Sequence, residues 1–211
     1  VDQEQTHMIR AFLAIEISPE LRAALSVIQQ DLRRRLERTV DRRTRISWVQ
    51  PASMHLTLRF LGETPEAVIE SLHATVAQVV ARHRTIQVPF SRLGTFPRLQ
   101  QPRVLWAGPP ESWEQGLEGE RLQALYRDIE EVCRAVNLAA EVRPFSPHLT
   151  LARIKEGERQ VGQLLAESRA LDQSLANSGL AIKTVIMMQS QLRQAGSVYT
   201  KLWECPLSSM S

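Results

Sequence analysis

The tetrapeptide His-Leu-Thr-Leu occurs twice, at 55–58 and at 148–151, in a chain of 211 residues that contains five histidines. The surrounding residues are also alike, because the two copies read MHLTLRFL and PHLTLARI. A repeated segment indicates an internal duplication, in which each copy belongs to one structural unit. Both copies alternate polar and apolar residues, which is typical of a half-buried β-strand. We therefore expect two related halves, each built around one such strand.

In this alternation His55 and Thr57 share one strand face, as do His148 and Thr150, while the leucines point to the core. Polar pairs on apolar strands face a cleft or make buried hydrogen bonds. A single strand histidine usually has a structural role, but the repeat favours a shared site. If a pseudo-twofold axis relates the halves, one imidazole can act as a base and the other as an acid. The threonine hydroxyls can donate to a charged oxygen.

The rest of the chain alternates predicted strands and helices. Strands are expected at 7–17, 46–49, 86–96, 103–108, 141–145, 179–192 and 197–207, and helices at 19–36, 66–82, 120–137 and 158–171. Residues 109–120 read as a loop, 62–65 as a break, and 194–196 as a hairpin turn.

These elements predict an α+β fold. Two similar lobes, each an antiparallel sheet with helices on its outer face, are related by a pseudo-twofold axis around a central cleft. We expect residues 1–211 to form a single bilobal domain, with the first motif in the lobe around 45–85 and the second in the lobe around 140–172. The termini and the central strands complete the sheets.

Composition excludes several other classes of protein. The chain has no apolar run near the roughly 18 residues that span a bilayer, and its first ten residues lack a signal-peptide core, so no membrane association and a cytoplasmic location are expected. Cys133 and Cys205 form no disulfide framework. A zinc site is the structural alternative for the histidines, but neither motif has a further ligand at the required spacing. We therefore expect no metal and no cofactor.

The formal net charge is +3, and the densest basic stretch is DLRRRLERTVDRRTR at 31–45. Two interpretations of this stretch remain open. It can be the solvated face of a helix, which is the usual role of such runs, or it can contact nucleic acid.

Two H-x-T-φ motifs (φ apolar) in a chain of this length resemble the two-histidine phosphoesterase superfamily. The wider strings MIRAFLAIEI, MHLTLRFLGE, FPRLQQPRVLWAG, RPFSPHLTLARIK and GSVYTKLWECPL resemble the bacterial and archaeal RNA 2′,3′-cyclic phosphodiesterases, long called 2′-5′ RNA ligases. The resemblance covers roughly residues 8–207. It implies metal-independent hydrolysis of RNA 2′,3′-cyclic phosphate ends to 2′-phosphates, with reversible 2′-5′ joining of tRNA halves as an associated activity.

The resemblance also implies residue roles. His55 and His148 would be the catalytic pair, with His148 as the base and His55 as the acid, and Thr57 and Thr150 would bind the phosphate.

Family members stack the nucleobase between an aromatic residue and an arginine, each five residues past its histidine. Those positions are Phe60 and Arg153 here. Strict alternation places both on the opposite strand face, so core packing is the alternative for Phe60, whereas Arg153 suits base stacking or phosphate binding.

The expected partner is RNA with a 2′,3′-cyclic phosphate end, tRNA fragments included, and the expected state is a monomer. Two other functions stay open. One is a non-catalytic module that binds such RNA ends, and the other is a phosphoesterase acting on a small cyclic nucleotide or ADP-ribose cyclic phosphate. Only the enzymes need both imidazoles.

Overall fold

A computed structural model describes residues 7–173, 175, 178–193 and 196–209. In chain order its elements are β1 (Met8–Glu16), α1 (Pro19–Glu37), β2 (Arg45–Trp48), β3 (His55–Pro65), α2 (Glu66–Val80), β4 (Ile86–Phe90), β5 (Arg92–Phe96), β6 (Val104–Gly108), α3 (Glu111–Glu114), α4 (Leu117–Ala135), β7 (Leu149–Glu156), α5 (Glu158–Glu167), β8 (Ser178–Ile182), β9 (Thr184–Arg193) and β10 (Gly196–Pro206). No helix within these ranges has both the length and the apolar content needed to cross a membrane.

The main sheet has eight strands and contains both motifs. Its order is β10-β9-β1-β3-β7-β6-β5, with β2 paired to the far end of β7, and every pair of these strands is antiparallel. The strands β3 and β7 meet at one pair, Leu56 with Leu149. These leucines occupy the same position of the repeat, and twofold symmetry requires equivalent residues to face each other in this way. The predicted two-lobed α+β fold is confirmed.

Each lobe has its own pair of helices. The first lobe consists of β10, β9, β1 and β3, backed by α2 and α4, which pack on each other. The second lobe consists of β7, β6, β5 and β2, backed by α1 and α5. The helix α1 follows β1 in the chain but packs behind the other lobe, where Gln29 donates to the carbonyl oxygens of Val49 (2.7 Å) and Leu151 (2.8 Å). The chain therefore crosses between the lobes.

A small sheet of β4 and β8 links the two helix layers, because β4 contacts α4 and β8 contacts α1. Sequence alone read residues 86–96 as one strand-like run and 179–192 as another. Each run instead divides into two strands that lie in different sheets.

The start of α1 follows its predicted signals. Ser18 caps the helix by accepting a hydrogen bond from the Leu21 amide (3.2 Å), and Pro19 is its first residue. The apolar positions predicted to face the core are all buried: Leu21, Leu25, Ile28, Leu32 and Leu36. Amphipathic spacing was therefore sufficient to orient this helix.

Three local predictions were wrong. The stretch at 109–120 is not a loop, since it contains α3 and the start of α4. The segment 62–65 does not end the strand, because β3 continues to Pro65, paired with β1. Residues 141–145 form no strand. Of the predicted hairpin turn, Gln194 and Ala195 lie outside the described residues, while β9 and β10 pair as expected.

Candidate active site

Both motifs line one cleft of about 530 Å³ between the lobes. The side chains of His55, Thr57, His148 and Thr150 all reach it. The antiparallel meeting of β3 and β7 brings Thr57 toward His148 and Thr150 toward His55. The repeat therefore places two imidazoles and two hydroxyls around a common space.

The two imidazoles are held in the same way. Nδ1 of His55 lies 2.8 Å from the carbonyl oxygen of Ser53, and Nδ1 of His148 lies 2.8 Å from that of Ser146. A carbonyl oxygen can only accept, so each Nδ1 carries the proton of this bond. Nε2 is then the nitrogen that can gain or lose a proton toward a bound molecule in the cleft.

Burial and nearby positive charge favour the neutral form of both rings. Burial lowers the pKa of His55, with smaller contributions in the same direction from Arg153 and His148. Burial also lowers the pKa of His148, and Arg153 and Arg143 lower it further. The serine carbonyl bonds raise both pKa values, but by less than burial lowers them. An anion between the rings would favour protonation and reverse this trend.

Aromatic rings surround the histidines unequally. His55 lies against Phe12, with ring centroids 4.8 Å apart, and edge-on to Tyr199 at 5.1 Å. His148 lies edge-on to Phe96 at 5.0 Å. These contacts fix the planes of the imidazoles and keep water from one side of each ring.

Phe60 and Arg153 both line the cleft, and a matching β-bulge explains how. In the pairing of β1 with β3, Leu58 has no partner, and in the pairing of β6 with β7, Leu151 has none. Because one extra residue shifts the alternation, the residue after each leucine also faces the core. The fifth residue past each histidine then returns to the face of the histidine. Phe60 is 46% exposed, so the core-packing alternative is wrong.

The residue between the bulge and Phe60 is a buried arginine. Arg59 is 5% exposed; its guanidinium pairs with Glu130 of α4 and donates to the carbonyls of Phe60 and Ala139. Glu130 also accepts the amide of Glu141 (3.1 Å). Gln123 donates to the Phe145 carbonyl (3.2 Å), so side chains bond to the backbone at both ends of 141–145, where a strand was predicted.

Several cleft residues were missed by sequence reasoning. Arg10 and Arg143 line the cleft, and Arg143 is held by the Glu141 carboxylate (Nε to Oε1, 3.1 Å). Sequence reasoning also missed the carbonyl groups of Ser53 and Ser146, although the repeat contains a signal for them. A serine stands two residues before each histidine, as in SMHLTL and SPHLTL. This repeated position supplies the two carbonyl oxygens that orient the imidazoles.

Other histidines lie outside the cleft. His7 contacts Glu66 (2.8 Å), His73 stacks on Trp203, and His83 contacts Asp128 (2.8 Å). Among the described residues no three His, Cys, Asp or Glu side chains cluster as metal ligands would.

A profile of the LigT-like phosphoesterase family matches residues 15–106 and 117–199, one segment for each repeat. The chain belongs to this family.

Named relatives agree with this assignment. An RNA 2′,3′-cyclic phosphodiesterase of Aeropyrum pernix is 31% identical over 76% of this chain and 86% of its own length. One of Geobacillus stearothermophilus is 32% identical over 70% of this chain, but the match spans only 42% of that relative. A Thermus thermophilus crystal structure superposes with a TM-score of 0.69 at 27% identity, covering 94% of this chain and 97% of that one. The LigT-like fold is therefore present over nearly the whole chain.

Proposed function

We propose that this LigT-like phosphoesterase hydrolyses RNA 2′,3′-cyclic phosphate ends to 2′-phosphates, using His55 and His148 as an acid and base pair without a metal. The observation that carries the proposal is that the two imidazoles are held by equivalent hydrogen bonds. Each Nδ1 is engaged by a carbonyl two residues upstream, which leaves both Nε2 atoms for one cleft. The names of the relatives support the substrate class.

In the reaction His148 Nε2 takes a proton from water, whose oxygen attacks phosphorus. The bond from phosphorus to the 3′ oxygen breaks, and that oxygen takes a proton from His55 Nε2. In-line displacement places the attacking and leaving oxygens at opposite apices of phosphorus. Histidines from two lobes related by a twofold axis suit that requirement, one at each apex. The hydroxyls of Thr57 and Thr150 donate to the remaining phosphate oxygens, where charge accumulates.

The nucleoside is held on the same cleft face by Phe60 and Arg153. An aromatic ring and a guanidinium plane can sandwich a base, and arginine can also bind phosphate. Because these two groups differ while the histidines are equivalent, the sugar binds in one orientation. That orientation directs the 3′ oxygen toward His55, and the product is the 2′-phosphate.

The joining of RNA ends would be the same displacement of the 3′ oxygen with a different nucleophile, and cleavage of the resulting 2′-5′ linkage would be its reverse. A 5′-hydroxyl in place of water would attack the same phosphorus and give a 2′-5′ linkage. The same base would accept its proton, so RNA ends such as those of tRNA halves would be joined at the same site.

The decisive experiment uses an oligonucleotide with a 2′,3′-cyclic phosphate, incubated in EDTA, with the product isomers resolved by chromatography. We expect complete hydrolysis to the 2′-phosphate. Activity that is lost in EDTA and restored by zinc or manganese would contradict the metal-free mechanism. A product that is mainly 3′-phosphate would show that the substrate binds in the opposite orientation. Binding without turnover would favour an RNA-end-binding module.

A further inference from the structure

The two parts of the basic stretch at 31–45 differ in how their charges are neutralised. In the helical part the arginines are paired with acids of the same helix: Arg33 with Glu37, and Arg34 and Arg35 with Asp31. This part is the solvated helix face that the usual interpretation predicts. The part after the helix has a different environment.

The second part joins a larger basic surface, which we call the basic edge and define as residues 38–45 and 153–159. It contains seven arginines and lysines and three acidic residues, a formal charge of +4. The whole chain carries only +3, so the rest of it has a formal charge of −1. The basic character of this protein is therefore concentrated in one place.

Strand pairing makes the basic edge continuous with the cleft. Arg153, which lines the cleft, pairs with Ser47 of β2, and Glu156 pairs with Arg45. Between them Lys155 is exposed and has no partner in the register of the two strands. Three residues of a strand span about 10 Å. A chain leaving the cleft past Arg153 would thus reach Arg45 within a short distance.

The loop before β2 has a defined structure. The Asp41 carboxylate accepts the amides of Arg43 (2.8 Å) and Thr44 (3.1 Å), and Thr44 donates to Gln160 of α5 (2.8 Å). Gly157, at φ 85°, packs so closely that a Cβ there would lie 2.4 Å from Thr44 Oγ1. Asp41 is thus engaged with the backbone.

The remaining acids of the basic edge also have partners. Glu156 lies 3.7 Å from Arg45, and Glu158 lies 3.8 Å from Arg103. Within the described parts of the chain, several basic side chains of this edge have no acidic oxygen within 4.0 Å: Arg38, Arg42, Arg43, Lys155 and Arg159. These exposed charges lie together and are available to a polyanion such as RNA.

We infer that the single-stranded RNA preceding the cyclic phosphate leaves the cleft past Arg153 and binds the basic edge through its phosphates. The inference rests on the proposed function and adds a second region of contact to it. Grooves that bind single strands combine a basic path for the backbone with stacking groups for bases. Here the basic edge supplies the path, while Phe60 and Arg153 hold the terminal base. The enzyme should therefore prefer an oligonucleotide to a mononucleotide.

The test compares two substrates, a mononucleoside 2′,3′-cyclic phosphate and an oligonucleotide of about ten nucleotides with the same end, a length within known single-strand site sizes. The variant Arg42→Glu/Arg43→Glu should raise KM for the oligonucleotide about tenfold at low salt and leave the mononucleotide unchanged. It should also reduce the slope of log KM for the oligonucleotide against log salt concentration by about one, as expected when one or two phosphate contacts are lost.

The matched control is Arg82→Glu/Arg84→Glu, a double charge reversal at exposed residues that follow α2 and lie outside the cleft. It should change KM for neither substrate. An equal effect of the basic-edge variant on both substrates, or none on the oligonucleotide, would overturn the inference.

Failure of the proposed function would look different, because the wild type would then hydrolyse neither substrate. In that case fluorescence anisotropy with a 2′-phosphate-ended oligonucleotide still tests the basic edge. Arg42→Glu/Arg43→Glu must weaken binding and the control must not. Equal binding by the wild type and both variants would reject the basic edge as an RNA contact.

Discussion

Strands β3 and β7 carry the same motif and the same bulge, but they differ at the two residues that follow it. After Leu58 come Arg59 and Phe60, and after Leu151 come Ala152 and Arg153. The first residue of each pair is buried and the second lines the cleft. The two strands are thus alike in the imidazole and the hydroxyl, and unlike in what surrounds them.

This difference follows from the substrate that we propose. Attack and departure occur at opposite apices of one phosphorus atom, so similar groups are needed on both sides. The nucleoside lies on one side only, so a twofold arrangement of Phe60 or of Arg153 would serve no purpose. A symmetric frame can therefore bind an asymmetric substrate when the positions after the bulge diverge.

The strongest test of this comparison removes each imidazole. We expect His55→Ala and His148→Ala each to lower kcat by about 10² to 10⁴-fold, because each removes a positioned acid or base. The double variant should be little worse than either single, since the two act as a unit. His73→Ala, a change outside the cleft, is the control and should retain wild-type kcat. Near-normal turnover by either single variant would reject the two-histidine mechanism.

A thio-substituted substrate distinguishes the two histidines. A cyclic substrate with sulfur at the 3′ leaving position needs no proton on departure, so it should restore activity to His55→Ala and not to His148→Ala. The opposite pattern would exchange the roles of acid and base.

The next largest effect is expected at Arg59, the buried residue after the bulge in β3. Arg59→Met leaves the Glu130 carboxylate in a largely buried site without its partner, and we expect a loss of about 3–5 kcal/mol in the free energy of unfolding. Urea denaturation measures it. Because removing both charges avoids this penalty, Arg59→Met/Glu130→Leu should recover much of the loss. A stability of Arg59→Met equal to that of the wild type would show that the ion pair does not hold the segment at 139–141.

The exposed positions after the bulge should act on substrate binding. Phe60→Ala and Arg153→Ala should each raise KM about tenfold, as expected for loss of one base-stacking contact. Phe60→Trp should retain a low KM because it keeps a ring. Arg153→Lys should not fully restore binding, since an ammonium cannot stack as a guanidinium does. Steady-state kinetics with a mononucleoside cyclic phosphate measure these changes, and an unchanged KM in Phe60→Ala would return Phe60 to a structural role.

The smallest expected effect concerns pH. Burial lowers the pKa of both histidines below 6.5, and kcat/KM reports the free enzyme, so its maximum should lie below pH 6.5. The maximum of kcat should lie at higher pH, because a bound anionic phosphate raises the pKa of both rings. Coincident maxima would contradict this effect of the substrate.

Arg143 lowers the pKa of His148, whereas Arg153 lowers that of both rings. Arg143→Gln should therefore raise the pKa of His148. His148 must be neutral to act as the base. The acidic limb of the pH profile should therefore shift to higher pH in this variant, while the alkaline limb should stay in place. Arg153→Gln should shift both limbs of the pH profile to higher pH. Movement of the alkaline side alone in Arg143→Gln would identify His148 as the acid.

Much of the site could be read from the repeat. Alternation placed His55 with Thr57 and His148 with Thr150, and the structure brings all four to one cleft. Alternation failed five residues past each histidine, because a bulge cannot be recognised from local pattern alone. It also failed at 141–145, where side chains bond to the backbone in place of a neighbouring strand: Glu130 accepts from the Glu141 amide, and Gln123 donates to the Phe145 carbonyl.

The sequence by itself determined the duplication, the polar face of each motif, the amphipathic helices and the amounts of charge, since all of these depend on residue order within a few positions. Only the tertiary structure decided which elements became neighbours. It placed α1 behind the other lobe, paired β4 with β8, and put β2 beside Arg153. Such contacts depend on the burial of apolar surface between segments distant in the chain, and no local pattern specifies which two surfaces will meet.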